Sequence, residues 1–346
     1  MKKIAKVCAV LSLCVGFTFS LAALSACGDG NMIDGDFTTE ATAEQVTEVR
    51  EYLSDINFET ALGDTQAEDW SYNARFYTDG NIDLSMSATG TEDGTPVNYL
   101  LNTDTDVRFD HIMTFYGSPE LPSLRGSGQM NYDLAVEMTN PVPTQISAET
   151  VTITQQIDGA CYNDAEYFYI DGSVGMSSFG AESTYSGKFR TGFYDLFGSL
   201  VLTEGSGFTD LSPILEALDQ AGAAIFVDDS ETFKVKISLG AESWVALSDE
   251  DLSEITAETG VSIEEILENT NFRRYDLYLE FDKDSGLLLG YGSVADVSAD
   301  FTMQVEGVEV SVAFDIDYES WFLHSDRAAD ELPADLSEYT DISMDF

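Results

Sequence analysis

The chain of 346 residues is poor in positive charge, in histidine and in cysteine. It carries 15 Lys and Arg against 63 Asp and Glu, a formal net charge of −48 at pH 7. Nucleic-acid affinity rests on Lys and Arg at phosphates, so this balance excludes a nucleic-acid partner. Anionic lipid headgroups repel such a surface too, which argues against a peripheral membrane-docking face. The two histidines, His111 and His324, are far apart in sequence, so a zinc site of the His-rich kind is not expected. Of four cysteines, Cys8, Cys14 and Cys27 lie near the N-terminus and Cys161 stands alone. That excludes a disulfide framework and a cysteine-based metal site. A nucleophilic Cys161 needs a partner base; its Gly-flanked setting before Tyr162 reads as a turn.

Catalytic motifs are missing as well. There is no Gly-x-Ser-x-Gly elbow and no phosphate-binding glycine loop. Gly126–Gly128 and Gly205–Gly207 read as turns. Carboxylate pairs of the glycosidase kind arise by chance in so acidic a chain, so none is nominated. Asp104, Asp106 and Asp110 form one local acidic group and Asp249, Glu250 and Asp251 another. Neither has the alternating oxygens and glycine of a calcium-binding EF-hand loop. The first reads as a solvated loop, the second as acids favoured in a helix's first turn. The acidity attracts a cationic partner or divalent cations, and it also serves solubility or a salty habitat. No catalytic residue, metal ligand or cofactor is nominated, and an enzyme ranks third among the function classes.

What is present begins at the N-terminus. Three lysines, Lys2, Lys3 and Lys6, precede an apolar run from Val7 to Ala26, and no acid occurs before Asp29. That is the layout of a secretory signal. The run ends Leu24-Ser25-Ala26-Cys27, which resembles the lipobox of bacterial lipoproteins. The resemblance implies that Cys27 receives diacylglycerol and becomes the first residue of the mature chain. An uncleaved helical anchor and an ordinary signal cut near Ala23–Ser25 are the alternatives. All three place the folded part outside, because positive charge stays cytoplasmic. Removing residues 1–26 takes away three lysines and no acid, which moves the net charge from −48 to −51. Residues 27–41, rich in Gly, Asp, Asn and Thr, read as a flexible tether.

In a chain with 44% hydrophobic and 12% aromatic residues, the remainder, 42–346, is expected to fold, as one extracytoplasmic domain. Thr42 and Gln45 form a capping-box pattern ahead of Val46, Val49, Leu53 and Ile56 at helical spacing. Strands follow, with apolar residues alternating at Ile82–Ala88, Met130–Met138, Val151–Ile157, Phe233–Leu239 and Tyr275–Phe281. Tyr167–Ile170 leads into a turn at Asp171-Gly172. Asp282–Gly286 and Val305–Val308 are further turns, and Val308–Tyr318 is a long strand. Helices are expected at Ser212–Gly222, Ser248–Glu258 and Ser262–Asn269.

This order of elements is similar to that of the LolA-like and LppX-like lipoproteins. Glu166–Gly172, Glu242–Leu247 and Phe281–Leu287 carry the local likeness. It implies an α+β fold: a large curved antiparallel sheet, a half-barrel, with helices packed on its concave face. It also implies a cavity between sheet and helices for a lipid or other apolar ligand. Leu215, Leu218, Phe233, Val235, Ile237, Val310, Val312 and Phe314 are the expected lining, though they serve equally as ordinary core. The expected function is ligand binding by a protein anchored to the cell membrane through Cys27. The alternative is a structural or interaction module whose partner is another envelope protein. The anchor generates the first prediction: Cys27→Ser moves the protein from the membrane fraction to the medium or leaves it uncleaved, as read by fractionation and by mass spectrometry of the N-terminus.

Overall fold

In a β-strand successive side chains point to opposite faces, so an apolar residue at every second position makes one apolar face. The C-terminal strand shows the effect over its whole length. Val308, Val310, Val312, Phe314 and Ile316 are buried, while Glu309, Asp315 and Asp317 are exposed. Its β-branched residues also suit a pleated, half-buried surface.

The computed structural model describes residues 32–55, 71–92, 95–118, 121–139, 150–178, 181–192, 223–240, 269–305 and 308–342. Helix α1 spans Ala43–Asp55. The strands are β1 (Ser71–Glu92), β2 (Thr95–Ser118), β3 (Leu121–Thr139), β4 (Thr150–Asn163), β5 (Tyr167–Ser178), β6 (Ala181–Gly192), β7 (Ala224–Asp228), β8 (Phe233–Ser238), β9 (Thr270–Phe281), β10 (Leu288–Val305), β11 (Val308–His324) and β12 (Thr340–Asp341). They form one 12-stranded sheet in the order β12-β6-β5-β4-β3-β2-β1-β11-β10-β9-β8-β7. Neighbours pair antiparallel, except that β12 joins β6 in parallel. Strand β1 holds the centre. It pairs with β11 from Ala74↔His324 to Gly90↔Val308 and with β2 from Ser71↔Tyr116 to Glu92↔Thr95.

The sheet has an apolar and a polar face. Two buried clusters lie on the apolar one. The larger gathers Val49 of α1, Leu84, Met86, Val235, Leu279, Val297, Val310 and Phe314. The second gathers Tyr72, Met113, Phe115, Ile157, Phe168, Ile170 and Phe322. A small third cluster of Ile33, Tyr77, Tyr278, Val294 and Trp321 sits on the opposite, polar face. At that end of the sheet the C-terminal segment also crosses the polar face. The Ala329 and Asp330 amides donate to Thr114 Oγ1 and Ser127 Oγ, each at 2.8 Å, and Tyr339 meets Tyr169 edge-on.

The expected α+β fold, with helices on a concave sheet face, is corrected. Strands take 74% of the described residues, and among those residues α1 is the one α-helix. The expected helices at Ser212–Gly222 and Ser248–Glu258 lie outside the described residues, as does Ser262–Asn269 apart from its last residue. The capping box at α1 is present: the Gln45 amide donates to Thr42 Oγ1 at 3.3 Å, and the Thr42 amide donates to Gln45 Oε1 at 3.0 Å. Within the described part of the stretch read as a tether, Ile33 is buried, 1% exposed, while Asp34, Asp36, Thr38, Thr39 and Glu40 are exposed.

Four expected turns or loops are strand instead. Gly126–Gly128 lies within β3, Asp104–Asp110 within β2, the setting of Cys161 within β4, and Asp171-Gly172 within β5. Gly172 faces Gly159 across the β4–β5 pair, and a Cβ on Gly172 would come within 2.1 Å of the Asp158 carbonyl oxygen. That glycine therefore permits a close strand approach rather than a reversal.

The register makes a direct prediction. Phe314 is 5% exposed in the larger cluster, and Glu309 faces the other side. Phe314→Ala is expected to cost about 3–5 kcal/mol, against under about 0.5 kcal/mol for Glu309→Ala, measured by denaturant unfolding.

Candidate functional site

The polar face owes its chemistry to the same alternation. Asp104, Asp106 and Asp110 occupy even positions of β2, Asp79 and Asp83 odd positions of β1, and Asp315, Asp317 and Glu319 odd positions of β11. Pairing brings these columns side by side: Asp83 lies directly opposite Asp104 on one flank and Asp315 on the other. One residue row away, Asp106 faces Asp133 and Asp317 faces Asp296.

A groove of about 990 Å³ opens over this region and crosses from β9 to β4. Asp83, Asp104, Glu137, Asp300 and Asp315 line it with Ser85, Asn102, Thr152, Asn269, Asn271 and Ser298. No Lys, Arg or His is among its described lining residues. Leu84, Val136, Ala299 and Phe314 contribute from the strand positions between those side chains. A neighbouring hollow of about 420 Å³ adds Asp79, Asp106 and Asp317, with Arg108 beside them. Partial burial, then the charges of Asp104, Asp315 and Asp106, lift the Asp83 carboxyl above the usual carboxylate range. At the margin the Arg273 guanidinium meets Asp296 at 2.5 Å and Asp315 at 2.9 Å. Inside, Ser85 donates to Asn102, whose amide nitrogen donates to Glu137 at 3.1 Å. The groove can thus accept hydrogen bonds and positive charge.

The expected ligand-cavity residues fall elsewhere. Phe233, Val235, Ile237, Val310, Val312 and Phe314 are brought together in the larger core cluster with Val49, each at most 5% exposed. Phe314 also underlies the acidic groove. Leu215, Leu218 and Cys27 lie outside the described residues.

A second constellation was not legible as one. His111 on β2 reaches across β3 to Cys161 and Asn163 on β4, and all three are 0% exposed. Gly126 and Gly128 make room for the ring; a Cβ on Gly126 would come within 2.2 Å of His111 Nε2. His111 Nε2 lies 2.6 Å from Asn163 Oδ1, and Cys161 Sγ lies 3.3 Å from His111 Nδ1. The Asn163 amide nitrogen donates to the Asp164 carbonyl, which fixes the amide's orientation. Oδ1 can only accept, so Nε2 carries the hydrogen and Nδ1 accepts from the thiol.

Nucleophile, base and orienting amide stand in the order used by cysteine hydrolases, but the electrostatics run the other way. Burial pushes the His111 imidazole down to about 4, against smaller upward pulls from Asn163 and Asp110. Burial, aided by the Asp110 charge, pushes the Cys161 thiol up to about 12. The pair is neutral and closed to substrate, and it ties β2 to β4 across β3. His324 is exposed at the end of β11, its ring 5.3 Å from that of Tyr72.

Sequence signals for both constellations existed. Acids spaced by two and four residues, at 104, 106 and 110, are a strand face before they are a loop. Phe109, His111, Met113 and Phe115 place a histidine in an apolar alternation. Among the described residues no group of three or more His, Cys, Asp or Glu is arranged to hold a metal ion, and no helix is long and apolar enough to cross a membrane. In comparisons with known proteins, no family model and no curated sequence matches the chain.

The buried imidazole carries a pH dependence. Its folded value of about 4 lies below the 6.5 of a free histidine, so its contribution is complete above pH 6.5 and is lost as pH falls towards 4. The loss amounts to about 3 kcal/mol. Unfolding measured at pH 7 and pH 4 should show His111→Gln losing less stability than the parent by about that amount, and native Cys161 should resist thiol reagents at neutral pH.

Proposed function

We propose that the protein is a lipid-anchored, extracytoplasmic binding module whose acidic groove takes an amine- or guanidinium-bearing ligand, foremost a Lys/Arg-rich segment of an envelope protein. The Leu24–Cys27 lipobox supports the anchor and the location. One observation carries the binding reading: Asp83 is held in register between Asp104 and Asp315 on the groove floor. Like charges directly opposite one another weaken a sheet. Arg273 at the margin offsets part of that repulsion through Asp315; the local rule that remains broken points to function, and a bound cation relieves the rest. Acids of one sign in a hollow with low-dielectric walls also concentrate cations from solution.

The apolar-ligand reading keeps one observation of its own. On the apolar face at the β5–β6 flank, Met176 is 51% and Tyr185 59% exposed. An acyl chain lying there would bury surface worth roughly 25 cal/mol per Å². This reading does not depend on helices over the sheet.

The two effects of Asp83 have opposite signs, which makes a sharp test. Asp83→Asn should raise stability by up to about 1 kcal/mol while weakening hexalysine binding, with Asp83→Asn/Asp104→Asn weakening it about tenfold or more. Binding should fall as salt rises. Asp326→Asn, an exposed acid beyond β11, serves as control. Equal weakening by the control would reduce the groove to part of a general negative field, and lipid co-purifying with the protein, lost in Met176→Asp, would favour the apolar reading.

A further inference from the structure

The polar face is closed at one end and open at the other, and the chain's own N-terminal segment does part of the closing. Ile33 is 1% exposed among Tyr77, Tyr278, Val294 and Trp321. Phe37 meets the Tyr278 ring edge-on with centroids 5.8 Å apart. The Asp36 amide donates to Asp228 Oδ2 at 3.0 Å, and Lys234 Nζ donates to the Asp34 carbonyl. The segment then rounds the outer edge strand β7. Glu40 bridges Phe226, and the Ala41 amide donates to the Ile225 carbonyl at 2.7 Å. From there it enters α1, whose Val49 is buried on the apolar face.

We infer that Ile33–Ala41 is a clamp that fixes the lipid anchor to the Trp321 end of the sheet, so that this end faces the lipid surface and the acidic groove faces away. The inference rests on the proposed lipidation of Cys27. Two lengths and one charge argument support it. Cys27 and Ile33 are six residues apart, so the anchor lies within about 22 Å of the clamp's start. Along β1 the clamp touches Tyr77 and the groove begins at Asp83, roughly 20 Å further at ~3.3 Å per residue. The acidic columns on that far stretch are repelled by anionic headgroups, which turns them outward about the fixed end. A ligand in the groove is then met from the side away from the anchoring membrane.

The lipidated full chain tests this on vesicles of phosphatidylcholine and phosphatidylglycerol that carry a fluorescent acceptor lipid. A donor dye is placed at Asp284→Cys, in the turn between β9 and β10, or at Asn98→Cys, opposite Thr89 near the far end of β1. Cys161 is 0% exposed and does not compete for dye. Energy transfer should be several-fold more efficient from position 284 than from position 98. An insertion of about ten Gly and Ser residues after Gly30, a flexible coil that leaves the folded residues unchanged, should erase most of that difference. Ile33→Asp should do the same by releasing the clamp. Equal transfer from both positions in an acylated protein, or no response to the insertion, overturns the clamp alone. An unacylated N-terminus, read by mass spectrometry, overturns the anchor as well.

Discussion

The fold depends on one long pairing, the first strand against the last long one. β1 and β11 run side by side from Ala74↔His324 to Gly90↔Val308 without a register shift. Every other strand attaches to this seam: β2 to β6, with β12 beyond, on one flank and β10 to β7 on the other. A slip of β11 by one residue against β1 would turn Val310, Val312 and Phe314 out to water and bring Glu309 and Asp315 to the core side. The seam therefore sets which chemistry each face carries. It also joins residues some 240 positions apart, so the two flanks cannot become one sheet until the C-terminal strand is made. Such non-local pairing slows folding.

Alternation made the strands around Ile82, Met130, Val151, Phe233, Tyr275 and Val308 legible in the sequence, because an apolar residue at every second place has few other uses. The capping box at Thr42 and Gln45 was legible for a similar reason, since it is a local exchange of two hydrogen bonds. What failed was the reading of glycines and acids. Gly172 and Gly126 look like turn residues, yet each is required by a neighbour remote in sequence: the backbone around Asp158 in one case, the His111 ring in the other. Asp104, Asp106 and Asp110 look like a loop because they are charged, although their even spacing places them on one strand face. The apolar residues offered as a ligand cavity were correctly apolar, but period alone does not tell a packed interior from a hollow one. One column of acids was legible by its spacing, but the groove itself was not, since it arises from the order of strands across the sheet, and Asp83 meets Asp315 only once β1 and β11 are neighbours.

The two faces divide the energetic work. Clusters on the apolar face gain from burial, and that gain offsets the repulsion tolerated opposite. Like-charge pairs at a solvated surface interact weakly, by about 1 kcal/mol at 4 Å in bulk water, so a sheet with this much core can hold several of them. The cost rises where the surface hollows and water thins, which is where the Asp83 carboxyl is lifted. A column of acids on a flat, wet strand is a matter of solubility. The same column on the floor of a groove is an electrostatic site, because the hollow strengthens the repulsion and, equally, the attraction for a cation.

The Cys161–His111–Asn163 array shows the converse. Judged by residue type it is the most reactive group among the described residues, and judged by its surroundings it is the least. A nucleophilic thiol needs a lowered pKa and a path for substrate; here burial raises the thiol and closes the path. A neutral chain of donors and acceptors, each satisfied by the next, is what a buried polar network must be if it is not to destabilise the fold. Its two ends lie on strands separated by a third, so its hydrogen bonds form only when β2, β3 and β4 are in the correct register. That requirement is specific in a way the surrounding Phe109, Met113 and Phe168 are not, since apolar contacts survive a sliding strand better than a 2.6 Å hydrogen bond does. The residues with catalytic chemistry thus serve alignment, and the proposed binding role falls to the acids, whose meaning depends on the order of the strands beneath them.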